Sequence, residues 1–391
     1  MTRFHSTAVP RPAILLALGP SAVPESSLAG ELRLLVEGLG YEVIGEIKQR
    51  RHEPSSGLPL GSGKLAELRE LIETAKTSFE EPVLVASALD LSSGHVRNLE
   101  QALDVSVIDR TEVILRIFEA RAESPLAKLE IERARLVHSL PRIRDLDASR
   151  RQEGGGGRAA KGHSSTELAK QAASRRIAEL NRRIEVGRRE QDRRTLRRRE
   201  VSRVALVGYT NVGKSSWMEQ LTARSGGVKD ELFHTLGTRV HALRGAGPRV
   251  LLADTVGFLE ALPHTLLESF HSTLKEALDA DLRLHVADAH SSHLEAQIAV
   301  TREVLERVDG PSAPELLLLN KADLLTPERR EELLALYPGA LLVSTRSEED
   351  RRALVERIRQ EVGALPSGLD AASAGPDADG RASATDGEIA E

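Results

Sequence analysis

A chain of 391 residues exceeds what one hydrophobic core ordinarily organises, so two or three domains are expected. Its 54 Lys and Arg against 59 Asp and Glu give a formal net charge of −5, and the absence of cysteine excludes disulfides, thiol catalysis and cysteine-ligated zinc. Aromatics at 3% are too few for extensive base stacking, and no apolar run approaches the roughly 20 residues of a spanning helix; neither a membrane span nor a signal peptide is expected, and the cytoplasm is the default compartment.

Residues 12–110 alternate short apolar runs with helical patterns. Ala13 to Leu18, Tyr41 to Ile47, Pro82 to Ser87 and Val105 to Ile108 read as strands, with helices over Leu28 to Leu39 and Lys64 to Ala75. That alternation predicts a small α/β domain with a mostly parallel sheet. From residue 111 to 200 the period becomes helical, broken by the run Gly154 to Gly157, which predicts an antiparallel helical hairpin with a glycine-rich loop. Pro141 to Glu200 holds 18 Lys and Arg against 9 Asp and Glu, a basic stretch suited to a polyanionic partner or, equally, to a solvated arginine-rich helix. Residues 201–365 return to strand–helix alternation, whereas residues 366–391, with one Arg against 6 acids, lack the apolar content for a core and read as a disordered acidic tail.

The chemistry concentrates in the third segment. The apolar strand Val204 to Val207 runs into Gly208-Tyr209-Thr210-Asn211-Val212-Gly213-Lys214-Ser215, followed by Ser216, a complete P-loop pattern between a strand and a helix. Its glycines let backbone N–H groups close on phosphates at a helix N-terminus. Lys214 would reach the β- and γ-phosphates, and Ser215 would ligate Mg²⁺. After the strand Val250 to Ala253, Asp254-Thr255-Val256-Gly257 offers an acid for the Mg²⁺ shell, through water, and a Gly257 amide for the γ-phosphate. Asn320-Lys321-Ala322-Asp323 selects GTP over ATP, because an Asp carboxylate accepts from both N1–H and the 2-amino group of guanine. Asp230 to Thr235, including Phe233, occupies the first-switch position, with Thr235 sensing γ-phosphate through Mg²⁺ or capping a loop. Lys214, Thr235 and Gly257 are the candidate catalytic residues. In the second switch, which starts at Asp254, Phe258 stands after Gly257 where many GTPases carry a water-orienting glutamine, which predicts slow unaided hydrolysis.

These residues resemble the HflX family of ribosome-associated GTPases. The resemblance covers roughly residues 12–365. It is carried by Asp254 to Glu276 (DTVGFLEALPHTLLESFHSTLKE), by GYTNVGKSS, by Leu232-Phe233-x-Thr235-Leu236 and by Val107-Ile108-Asp109-Arg110-Thr111. It implies an α/β N-terminal domain, a helical hairpin and a P-loop GTPase domain whose mostly parallel sheet has helices on both faces. It further implies binding to the large ribosomal subunit and its RNA, in splitting, rescue or quality control, with the hairpin loop reaching toward the peptidyl-transferase centre. Asn211 matches a P-loop asparagine that binds K⁺ in related GTPases; a loop-stabilising amide is the other reading.

The chain departs from the family at three places. The family's GPGE element in the hairpin loop is replaced by Gly162-His163-Ser164-Ser165, the segment after the first-switch threonine is shortened to Leu236-Gly237-Thr238-Arg239, and the guanine-edge serine–alanine motif is reduced to Ser344-Thr345. The expected protein is a monomeric GTPase using GTP and Mg²⁺, with K⁺ as a cofactor only under the first reading of Asn211, and without DNA specificity; the rival is a GTP-gated ribosome- or RNA-binding module with negligible hydrolysis. Gly61-Ser62-Gly63-Lys64 reads as a helix start rather than a second phosphate loop, His290 and His293 as a surface helix start rather than metal ligands, and Trp217 as core.

Overall fold

The computed structural model describes residues 11–19, 25–50, 57–153, 165–196, 201–222, 239–245, 250–255, 257–259, 279–307 and 313–364. The glycine run of the hairpin loop, the first switch around Phe233 and Thr235, Val256, residues 260–278 and the acidic tail lie outside them.

The N-terminal unit is a four-stranded sheet of β1 (Arg11–Gly19), β2 (Tyr41–Arg50), β3 (Leu84–Ser87) and β4 (Ser106–Ile108), parallel throughout and ordered β2-β1-β3-β4. Side chains alternate across a strand, so β1 serves two cores. Ala13 and Leu15 meet Leu32, Leu35 and Val36 of α1 (Glu25–Gly38) on one face. On the other, Ile14 and Leu16 meet Leu68 and Ile72 of α2 (Ser62–Ser78) and Leu99 of α3 (Ser93–Leu103). Ser62 opens α2 and Lys64 pairs with Glu67, so the GSGK segment is a helix start.

The helix α4 (Arg110–Arg121) falls in the stretch that the sequence assigns to the hairpin, yet it closes the first core. Val113, Ile114, Leu115, Ile117 and Phe118 are at most 1% exposed, an all-round burial that a solvated hairpin arm does not offer. The hairpin itself is α5 (Pro125–Glu153) against α6 (Ser165–Leu196). Leu180 and Ile184 bury their side chains in its seam, and Gly187 lets the helices approach closely: a Cβ there would lie 2.9 Å from Leu126. Some of its arginines face inward, with Arg188 on the fully buried Glu130 and Arg176 on Glu132. Arg175, Arg182 and Arg193 stand exposed on α6.

The third unit is a six-stranded sheet ordered β10-β9-β8-β5-β7-β6, built from β5 (Ser202–Val207), β6 (Arg239–Ala242), β7 (Val250–Asp254), β8 (Leu282–Asp288), β9 (Glu315–Asn320) and β10 (Leu341–Leu342). All pairings are parallel except β6 with β7. Val204 and Leu206 of β5 face α7 (Lys214–Leu221) and α10 (Glu348–Ala364); Ala205 and Val207 face α8 (Leu294–Arg307). A further helix, α9 (Pro327–Leu336), packs Leu333 beside Leu317 and Leu319 of β9. The mixed α/β class expected from the sequence is the class observed.

Candidate functional site

The site forms where the carboxyl ends of β5, β7, β8 and β9 meet the start of α7, the position at which open α/β sheets hold ligands. Four fully buried residues, Val204 to Val207, deliver the chain to Gly208. Gly208 has φ +145°, and a Cβ on it would lie 2.1 Å from the Val286 carbonyl oxygen. Gly213 has φ +98°, and a Cβ there would lie 2.4 Å from Asn320 Nδ2. Both positions therefore require glycine on steric as well as conformational grounds. Asn211 between them is left-handed at φ +60° and exposed, and Val212 is buried in the core below. Ser216 is half-buried in the first turn of α7.

Lys214 is only 6% exposed, and its Nζ donates to the carbonyls of Gly208 at 3.0 Å and Tyr209 at 2.6 Å. Burial pushes its ammonium down to about 8, with Asp254 opposing that shift. The Ser215 hydroxyl donates to Asp254 Oδ2 at 3.1 Å, and Asp254 is 2% exposed. Hydroxyl and carboxylate oxygens are the donors that an Mg²⁺ shell takes, so the pair fits the ion in donor chemistry, with Ser215 as the direct ligand and Asp254 acting through a bound water. Among the described residues no cluster of three His, Asp or Glu side chains could hold a metal by itself, and His290 and His293 are exposed ahead of α8. An ion here would rely on phosphate and water oxygens for its other ligands.

Gly257 completes the floor: a Cβ would lie 2.9 Å from Lys214 Nζ and 3.0 Å from Thr210 Cα. Thr210 N–H donates to the Phe258 carbonyl at 2.8 Å, and Phe258 N–H donates to Gly208 O at 3.1 Å, so the second-switch segment is laced to the P-loop. The Phe258 ring is 1% exposed and packs with Val207 and Val304, away from the loop. Thr255 is buried and its hydroxyl donates to the Leu206 carbonyl at 2.6 Å, fastening β7 to β5.

The base-reading residues arrive from β9. Asn320 is 1% exposed and donates to the Val212 carbonyl at 2.7 Å, tying the P-loop to this strand. Lys321 takes a left-handed backbone, φ +62°, and its Nζ reaches Asp288 at 2.6 Å and the Asn211 carbonyl at 3.2 Å. The Asp323 carboxylate is held below its ordinary range by the Ser344 hydroxyl, 2.7 Å away, with Arg346 adding to the effect. It is therefore ionised and acceptor-only, as guanine recognition requires. Thr345 lies next to Ser344, half-buried.

The structure thus brings together Gly208 to Ser216, Asp254, Thr255, Gly257, Asn320, Lys321, Asp323, Ser344 and Thr345. Phe233, Thr235 and Val256 fall outside the described residues. Sequence reasoning missed Asp288, which holds Lys321, and Arg346, which pairs with Asp323. It also missed Glu31, whose carboxylate accepts from the Tyr209 hydroxyl at 3.1 Å. Asp288 ends a strand, a position that could have marked it; Glu31 carries no local signal.

Family models match three consecutive stretches: a GTP-binding GTPase N-terminal model over residues 26–119, a GTP-binding GTPase middle region over 121–199, and a 50S ribosome-binding GTPase over 203–321. A GTPase HflX of Gluconacetobacter diazotrophicus is 40% identical over 369 residues, covering 85% of this chain and 80% of that protein. The GTPase HflX of Escherichia coli is 36% identical over 299 residues, covering 75% and 69%. Among solved structures, a GTP-binding protein from Sulfolobus solfataricus in complex with GDP matches with a TM-score of 0.51 at 23% identity, covering 91% of this chain and all of that one, a likeness of fold.

Proposed function

The chain belongs to the HflX family of GTPases, and from that premise we propose that it binds the large ribosomal subunit and its RNA in the GTP state and leaves after hydrolysis. It is a GTPase, converting GTP to GDP and phosphate. Membership in a family of enzymes disfavours a gated binding module without turnover.

The observation that carries the reading is the convergence of Lys214, Ser215, Asp254 and Asp323 on one end of one sheet. Backbone N–H groups of residues 211–216 wrap the β-phosphate, and the Lys214 ammonium spans the β- and γ-oxygens as charge develops there. Ser215 and Asp254 would hold Mg²⁺, Asp254 through water, and Thr235 of the first switch would add a further ligand. The ion, when bound, neutralises charge on the phosphate oxygens. The Gly257 N–H would donate to the γ-phosphate, and Asn211 would ligate K⁺ if the loop takes one. Asp323 reads the Watson–Crick edge of guanine; Lys321 flanks the base and the Ser344–Thr345 segment closes over its edge. The exposed arginines of α6 give the hairpin a phosphate-directed surface, which makes ribosome binding salt-sensitive. Splitting, rescue or quality control of ribosomes is the task that this assignment implies.

The test is phosphate release from GTP, with and without purified large ribosomal subunits, in K⁺ and in Na⁺ buffers. Stimulation by the subunit, lost in Lys214→Ala, is expected, and it is larger in K⁺. Tight GTP binding with no stimulation would remove the ribosome from the proposal.

A further inference from the structure

The P-loop is fastened from outside its own domain. The Tyr209 hydroxyl donates to Glu31 Oε2 of α1 at 3.1 Å, and Glu31 Oε1 accepts from Arg110 Nη2 at 3.0 Å. Both charged side chains are nearly buried, at 10% and 5% exposure, in a setting where a held hydrogen bond is stiff and costly to lose. Arg110 opens α4, and the preceding Asp109 caps that helix and meets His138 of the hairpin at 3.2 Å. A continuous line of contacts thus runs from hairpin to P-loop.

A second tie runs parallel to the first. Leu259 is fully buried, in the core formed by β1, α1, α4 and α5 rather than in the core of its own domain. Its neighbour Phe258 packs in the GTPase core and exchanges backbone hydrogen bonds with Gly208 and Thr210. The P-loop and the start of the second switch are therefore each anchored to the N-terminal unit, on either side of Lys214 and Gly257.

We propose that Glu31 is a positioning residue for GTP hydrolysis: through the Tyr209 hydroxyl it fixes the backbone carbonyl that orients the Lys214 ammonium. The inference rests on the reading of residues 208–215 as the nucleotide loop. Tyr209 O accepts from Lys214 Nζ at 2.6 Å, so a displacement of Tyr209 moves that acceptor and with it the charge that stabilises the transferring phosphoryl group. Misplacement of a charge that acts most strongly in the transition state lowers kcat more than it weakens ground-state binding.

The experiment uses the full chain with Tyr209→Phe, Glu31→Gln and the double variant, under multiple-turnover conditions without ribosomes and well below the melting temperature. Tyr209→Phe keeps the ring and deletes one hydroxyl; Glu31→Gln keeps an acceptor but loses the charge that Arg110 holds. Each single variant is expected to lower kcat roughly three- to tenfold, the rate equivalent of one net hydrogen bond, with KM within about twofold of wild type. The double variant is expected to match the more affected single, because both break one relay. Wild-type kcat in a Tyr209→Phe protein, whatever its melting temperature, would overturn the proposal, as would losses that multiply in the double variant. Failure of the wild-type chain to bind GTP would instead defeat the reading of the nucleotide loop itself.

Discussion

With no nucleotide bound, the buried Lys214 is half-neutral near pH 8. Burial strips the Lys214 ammonium of water and pushes it down to about 8, and the nearby Asp254 carboxylate recovers only part of the loss. Phosphate oxygens favour the charged form, so nucleotide binding takes up a proton whenever Lys214 has lost it. For a group titrating near 8, the charged fraction falls from about 0.9 at pH 7 to about 0.25 at pH 8.5, so the Kd for GDP should rise roughly fourfold across that window. Calorimetric titration in two buffers of different ionisation enthalpy measures both the Kd and the proton uptake, and the window ends before the guanine N1–H ionises. Stability without nucleotide runs the other way. The folded value lies below the ordinary 10.5, so the unfolded chain binds more protons between about 8 and 10.5, and Lys214 makes the fold more stable as pH rises through that range. A flat Kd with no proton uptake would refute the reasoning, since it would mean that the carbonyls of Gly208 and Tyr209 with Asp254 fully offset desolvation.

Gly213→Ala should abolish measurable GTP binding, because the new methyl would lie 2.4 Å from Asn320 Nδ2 at a φ of +98°; equilibrium dialysis with GDP checks this. Asp323→Asn should weaken GTP binding by about 100-fold or more and improve binding of xanthosine triphosphate, whose N1–H/O2 edge matches an amide; competition titration with the two nucleotides reads the exchange. Arg188→Ala removes the guanidinium on the fully buried Glu130 and should cost roughly 2–4 kcal/mol of hairpin stability, seen as faster amide exchange along α5 and α6 with little change in GDP affinity.

Much of the site was legible because its residues are constrained locally. Gly208 and Gly213 occupy backbone conformations that glycine tolerates best, Lys214 follows at a helix start, and Asp254 and Asn320 end apolar strands, so order and spacing alone identify them. Strands were legible for the same reason, with β1 and β5 each announcing itself by an apolar run. What escaped was decided by tertiary packing. Glu31 and Tyr209 are 178 positions apart, and no period or motif joins them. The helix α4 shares the helical period of the arms that follow it, and only its near-total burial assigns it to the N-terminal core. Leu259 looks like part of the second switch, yet its side chain belongs to another domain's interior. Thr255, grouped with the nucleotide residues by proximity, spends its hydroxyl on the Leu206 carbonyl.

Phe258 sharpens the question of how hydrolysis is switched on. As a sequence letter it reads as a missing glutamine, a defect that a partner must repair. In the fold it is a packing residue, 1% exposed among Ala205, Val207 and Val304, with its backbone laced to Gly208 and Thr210. Supplying the missing amide by Phe258→Gln should therefore not produce a self-sufficient GTPase. The side chain would enter an apolar pocket, at a cost of roughly 3–5 kcal/mol for lost packing and an unpaired amide, and would still point away from the nucleotide. Single-turnover GTP hydrolysis without ribosomes should stay at or below the wild-type rate, while the melting temperature falls. A variant that folds and hydrolyses GTP tenfold faster would show that this position can face the nucleotide after all, and that the ring holds it away. If the rate does not rise, the group that orients the attacking water lies elsewhere, in the switch segments or on a bound partner.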